Sequence, residues 1–156
     1  MDTQTVTDIQ KITADLLSHL EVAAEPVVEV DESEVIKINI TPEQPEEGLG
    51  FLIGYHGETL KSLQAILALM INREREEWFR IAVDVDGYRL RHEESLRSLA
   101  RRTAEKTLFL KEPVELSPMS ASDRRIIHLQ IAQLKGVMSE STGEGWERRV
   151  IVKPEA

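Results

Sequence analysis

The 156-residue chain predicts a mixed α/β (α+β) protein made of two small domains, and three observations predict it. Apolar residues recur at helical spacing in four separate segments, and short runs rich in β-branched residues lie between them. The charge also changes sign near the middle. Residues 1–87 carry 6 Lys+Arg against 18 Asp+Glu and residues 88–156 carry 13 against 10, which together give the formal net charge of −9. With 41% hydrophobic residues the chain can bury one core or two, since domains of about 70 residues are viable though marginal.

In chain order, Val6 to Leu20 places Ile9, Ile12, Leu16, Leu17 and Leu20 on one helical face, with Thr3 or Thr7 available as a cap. Ala24–Val30 and Val35–Ile40 flank the polar turn Asp31-Glu32-Ser33 and read as a hairpin. An acidic loop with prolines follows over Thr41–Gly48. Leu49 to Ile71 is an apolar run broken at Gly54-Tyr55-His56-Gly57, and it resumes as a helix with Leu60, Leu63, Ile66, Leu67, Met70 and Ile71 at helical spacing. Ile81, Val83 and Val85 alternate with other residues and stop at the turn Asp86-Gly87.

The second half begins with a helical segment over residues 88–111, in which Leu96, Leu99, Ala100, Thr103, Ala104 and Leu108 are apolar or small. Its charges include the i,i+4 pairs Glu93/Arg97 and Arg101/Glu105, which a solvated helix face explains. Pro113 to Leu116 is a short strand, ended by Ser117-Pro118. A helix is expected from Asp123 to Val137, capped by Ser120 or Ser122, with Ile127, Ile131, Leu134 and Met138 as its buried stripe. Ser139–Gly145 reads as a polar loop and Arg149–Lys153 as a closing strand.

Two places carry binding chemistry. The turn Gly54-Tyr55-His56-Gly57 precedes a helix N-terminus, where backbone N–H groups lack partners, the macrodipole is positive and missing Cβ atoms allow a backbone to come close. A polynucleotide backbone fits there, and so does a plain turn. On the last predicted helix, Arg124 and His128 lie four residues apart on one face, with Lys135 two turns further along the same stripe. Arg offers a planar fork of donors and His a tunable one, which suits a phosphate, while a surface Arg beside a structural His is the plainer account.

Zero cysteines exclude disulfides and Cys-ligated zinc. Met1-Asp2-Thr3-Gln4 lacks the features of a signal peptide, and no apolar run reaches the ~20 residues of a membrane span, so a soluble cytoplasmic protein is expected. No Walker-type glycine loop and no carboxylate–His cluster at metal-ligand spacing occurs, so the expectation is no catalytic residue, no metal and no cofactor.

Taken together, the motifs resemble the bacterial Jag-type (SpoIIIJ-associated) RNA-binding proteins, in which a KH domain precedes a small domain named for Arg and His separated by three residues. The likeness lies in Leu52–Leu60 with Leu63-Gln64, in Asp84–Arg89, in Leu116–Met119, in Arg124–His128 and in Ser141–Glu144 followed by Arg148-Arg149. It implies a KH-type domain over residues 1–86 and an RxxxH-type single-stranded nucleic-acid-binding domain over 87–156. It also implies contacts to single-stranded RNA from Gly54, Tyr55, His56, Gly57, Arg124, Arg125, His128, Lys135, Arg148 and Arg149, and a role in RNA-level regulation of cell envelope growth or division. Two features depart from the family pattern. Neither residue inside the glycine turn is Lys or Arg, and no separate basic domain precedes the first helix in these 156 residues. A phosphate-ester hydrolase or nucleotide-binding enzyme using His128, and an acidic adaptor with a KH fold, remain the alternatives. A protein partner, a second KH-type protein and a homo-oligomer stay open.

Overall fold

The computed structural model describes residues 3–155 apart from 45, 47 and 74, so Pro45 and Glu47 of the expected acidic loop lie outside the described residues. The chain divides into two compact units, Met1–Arg89 and Leu90–Ala156.

In the first unit, α1 (Thr3–His19) buries Ile9, Thr13 and Leu17, each one turn beyond the last. Thr13 is tolerated on that face because its hydroxyl donates to the Ile9 carbonyl at 2.8 Å. Thr7 is not a cap: it lies inside the helix and donates to the Thr3 carbonyl. At the helix end Glu21 takes a left-handed φ of 56° and the Val22 N–H returns to the Leu17 carbonyl at 3.0 Å. This closure turns the chain into the sheet.

Strands β1 (Ala24–Val30) and β2 (Val35–Pro42) form the expected antiparallel hairpin. Asp31 builds its turn, accepting the N–H groups of Ser33 at 2.9 Å and Val35 at 3.0 Å. The Val35 bond is the main reason the Asp31 carboxyl sits below the usual carboxylate range. Strand β3 (Arg80–Val85) pairs parallel to β2, giving the order β1-β2-β3. Parallel pairing needs a crossover, and α2 (Gly50–Ile53) with α3 (Glu58–Asn72) supplies it.

Ile36, Ile38 and Ile40 of β2 and Val83 and Val85 of β3 pack with Leu60, Leu63, Leu67 and Ile71 of α3 and with the α1 stripe into one core. The buried stripe of α3 is narrower than the sequence suggests. Ile66 and Met70 are 49% and 41% exposed, because a four-residue repeat from Leu63 to Ile71 suffices to cover the sheet. Buried Asn72 ties the end of α3 to β3, accepting from the Phe79 N–H at 2.7 Å while donating to the carbonyls of Ala68 and Phe79.

The second unit contains α4 (Tyr88–Leu110), whose first two residues belong to the first unit, then β4 (Val114–Glu115), α5 (Ala121–Ile131), β5 (Val137–Thr142) and β6 (Arg149–Pro154). The strands form an antiparallel sheet in the order β4-β6-β5. Leu96, Ala100 and Ala104 of α4 and Ile127 and Ile131 of α5 pack with Val137, Val150 and Val152 of the sheet. In the last turn of α4 it is Thr107 that is buried, donating to the Val152 carbonyl, whereas Leu108 is exposed.

Two expectations fail here. Helix α5 stops at Ile131, six residues early, and residues 132–136 turn through Gly136 at φ 81° into β5. The stretch read as a loop from Ser139 is therefore mostly strand, and Met138 is on that strand and 53% exposed instead of buried in a helix. Leu134 continued the helical period by chance of spacing.

Candidate nucleic-acid interface

The glycine turn is a built feature of the first unit. Gly54 adopts φ 69° and ψ −170°, a region open essentially to glycine alone. A Cβ there would sit 2.0 Å from the Thr59 hydroxyl oxygen. Gly57 is left-handed at φ 79° and forms the N-cap of α3, and a Cβ on it would lie only 3.0 Å from the Tyr88 ring. Both glycines are thus required by backbone and by space. Between them Tyr55 is 78% exposed and His56 holds a left-handed φ of 49°, and their rings meet edge to face at 4.2 Å. As the N-cap, Gly57 offers no side chain to the first amides of α3.

The support behind this turn comes from Asp84–Arg89. Asp84 accepts the Arg89 N–H at 3.1 Å and so caps the start of α4. Arg89 donates to the Val83 carbonyl at 2.9 Å and to Gln64 at 2.8 Å, which holds this end of the first unit to β3 and α3. Arg89 is therefore committed to the fold. The cation nearest the turn in sequence after His56 is Lys61, exposed one turn into α3, opposed by exposed Glu58. Neither was singled out from the sequence.

Gly54→Ala should destabilise the first unit by about 1–3 kcal/mol, since it adds both backbone strain and a clash with Thr59. Gly50→Ala is the control, because nothing lies within 4 Å of its Cβ position. Urea unfolding followed by Trp78 fluorescence in a Trp146→Phe background measures both, and equal midpoints would show that the turn imposes no constraint.

In the second unit α5 starts at Ser120, whose hydroxyl accepts the Asp123 N–H at 3.2 Å. Arg124 and His128 project from one face of this helix toward β5. His128 Nδ1 meets the Ser139 hydroxyl at 2.7 Å and Nε2 meets the Ser141 hydroxyl at 2.8 Å, while Arg124 Nη1 donates to Ser141 at 3.3 Å. Ser139 and Ser141 reach α5 because they share the inward face of β5 with buried Val137. Their role was missed because β5 itself was missed; Gly136 followed by inward residues at 137, 139 and 141 is the signal that reveals it.

Burial pushes the His128 imidazole below its ordinary range, and the Arg124 charge adds to that. At neutral pH Arg124 carries the positive charge and His128 acts as a neutral hydrogen-bonding ring. Because the folded pKa lies below the unfolded value near 6.5, this histidine disfavours folding as pH falls from that value through the folded pKa, and is without effect above it. The wild type should therefore lose more stability between pH 7 and pH 5 than His128→Gln does. Parallel melts across that range test this, and identical pH profiles would refute the shift.

The other expected contacts divide by position. Arg125 is exposed on α5, and Arg148 is exposed in the loop that follows β5. Lys135 is exposed but sits in the turn after α5, not on a helical stripe with His128, because the helix ends before it. Arg149 does not join the cluster. It pairs in register with Thr142, so it lies on the sheet face opposite Ser141, where it meets Glu147 at 3.0 Å and Glu115 at 3.7 Å. Lys153 on that outer face is paired with Glu140.

Comparison with known proteins bears on both units. Residues 6–85 match the KhpA/KhpB KH domain, and residues 94–154 match the R-three-H domain, the one named for its Arg-x-x-x-His spacing. The chain belongs to the KhpB/Jag family. A protein from Clostridium symbiosum called RNA-binding protein KhpB is 39% identical over 106 residues, which cover 68% of this chain and 48% of that protein. One of the same name from Bacillus subtilis (strain 168) is 32% identical over 134 residues, 84% of this chain and 62% of the relative. Another from Streptococcus pneumoniae serotype 2 is 32% identical over 120 residues, 77% of this chain and 35% of the relative. The chain thus spans about half the length of these KhpB relatives. No helix among the described residues is long and apolar enough to cross a membrane.

Proposed function

We propose that this chain binds single-stranded RNA without chemical turnover, through one surface on each unit. The observation that carries the reading is the presence of both a KhpA/KhpB KH domain and an R-three-H domain in one chain, together with its likeness to relatives named RNA-binding protein KhpB. Residues 1–86 are assigned to the KH-type domain and 87–156 to the RxxxH-type domain. Gly54–Gly57 seats the sugar-phosphate backbone, as G-x-x-G loops do, with the Tyr55 ring open to stacking. Arg124 and His128 hold phosphates, assisted by exposed Arg125, Arg148 and Lys135. RNA-level regulation of envelope growth or division, in the cytoplasm, is the role that the family resemblance supports.

The chemistry of the second site favours binding over cleavage. A histidine that activates a serine must become imidazolium, and it needs its second nitrogen oriented by a carboxylate or similar acceptor. Here the second nitrogen meets another serine, and Arg124 opposes the imidazolium. The test incubates the full chain with labelled single-stranded RNA over a salt series and quantifies bound and cleaved strands. Intact RNA is expected, with log affinity falling linearly in log salt by about 0.7 for each phosphate neutralised. Cleavage that vanishes in His128→Ala would establish the hydrolase instead, and no binding even at low salt would leave the acidic adaptor.

A further inference from the structure

The loop between β5 and β6 holds a residue that neither core uses. Trp146 is 86% exposed, within a single 3-10 turn over Gly145–Glu147. Thr142 and Arg149 are the last paired residues of the two strands, so residues 143–148 close the hairpin and Trp146 is three residues from its base. Three residues of chain span at most about 11 Å. Ser141, which touches both Arg124 and His128, immediately precedes that base.

The loop is pinned on both sides. Gly143 is left-handed at φ 84°, and a Cβ there would approach the Glu147 carbonyl oxygen to 2.8 Å. The Glu147 N–H donates to the Glu144 carbonyl at 3.1 Å, the Arg149 guanidinium donates to the Glu147 carbonyl at 3.2 Å, and the Met119 N–H donates to the Arg148 carbonyl at 3.2 Å. Gly145, the residue before Trp146, has nothing within 4 Å of its Cβ position. An ordered turn therefore presents a large aromatic ring to solvent in the loop that follows the strand end carrying Ser141, the partner of Arg124 and His128.

We propose that Trp146 is a base-stacking platform, taking the face of one unpaired base of a strand whose phosphates Arg124 and His128 hold. The inference rests on the single-stranded RNA reading above. A base fits this loop better than a phosphate does. Glu144 and Glu147 stand against Arg148 there, so the loop has no surplus of positive charge to attract an anion, whereas every base has a π-face for an indole.

Trp78→Phe leaves Trp146 as the sole tryptophan of the chain, and its fluorescence should be quenched on titration with a single-stranded uridine oligonucleotide. In the full chain Trp146→Ala should weaken binding of that strand about 5- to 100-fold, with the salt slope unchanged and affinity largely restored by Trp146→Phe. A strand of equal length with abasic sites throughout should bind the wild type and Trp146→Ala equally. Unchanged affinity in Trp146→Ala, while Arg124→Ala weakens binding, would overturn the platform and leave the RNA reading intact. An equal loss on the abasic strand, or a loss of self-association in place of RNA affinity, would overturn it too. Wild-type protein that binds neither strand would remove the RNA reading and the platform together.

Discussion

Arg124→Ala should weaken binding of the full chain to single-stranded RNA by about ten- to a hundred-fold at neutral pH, and by a similar factor for unrelated sequences. The factor follows from the ~1.5–3 kcal/mol of a hydrogen bond to a charged group, and its uniformity from the fact that phosphates carry no sequence information. Arg124 is expected to matter more than His128 at pH 7, because the lowered imidazole pKa leaves the guanidinium as the charge of the pair. Below the folded pKa of His128 both groups are cationic, so wild-type affinity should rise on acidification and the deficit of His128→Ala should grow. Folding should be spared. Arg124 contributes one 3.3 Å bond to Ser141, and its Nε is buried with no acceptor among the described residues, so removing it relieves an unsatisfied donor as well as losing a bond. Fluorescence anisotropy with three unrelated oligonucleotides, beside a thermal melt, checks both claims. Full affinity in a folded Arg124→Ala would move the phosphate site elsewhere.

How much of this site was legible in the sequence depended on which period ran through each segment. Arg124 and His128 were found because four-residue spacing places two side chains on one helical face, and the helix does hold them. Their partners were not found, because Leu134 and Met138 keep helical time past Ile131, where the helix stops and the chain turns through Gly136 into a strand. The left-handed glycine is the local cue that the chain has left the helix before the strand begins, whatever the apolar repeat suggests. The face that Arg149 occupies is not legible for a different reason. Sheet faces alternate with a period of two, so a residue adjacent to buried Val150 must lie on the opposite face, and that parity is fixed only when the register with β5 is known. In the first unit the hairpin was legible in its Asp31 turn and the G-x-x-G turn in its two glycines, since local backbone chemistry dictates both. The Tyr88 ring that backs Gly57 is a contact across thirty-one positions of sequence, which no local pattern encodes.

Replacing Tyr55 and His56 together by Asp should lower RNA affinity ten-fold or more at low salt while leaving the fold unchanged. Two carboxylates at the tip of the turn repel a phosphate backbone lying on the α3 N-terminus, and screening weakens that repulsion as salt rises, so the deficit shrinks toward 1 M salt. The positions tolerate the change. Tyr55 is exposed, and the left-handed φ of 49° at His56 is one that Asp and Asn adopt more readily than most residues. Stability should stay within about 0.5 kcal/mol of wild type, as for exposed sites free of strain. The double Asn variant separates the two effects: it removes both rings without adding charge, so any loss it shows belongs to stacking and polar contacts, and the further loss in the Asp variant belongs to electrostatics. Binding measured at several salt concentrations for the three proteins assigns each share. If the folded Asp variant keeps wild-type affinity at low salt, the glycine turn is not where the backbone sits, and the RxxxH-type unit would carry RNA binding alone.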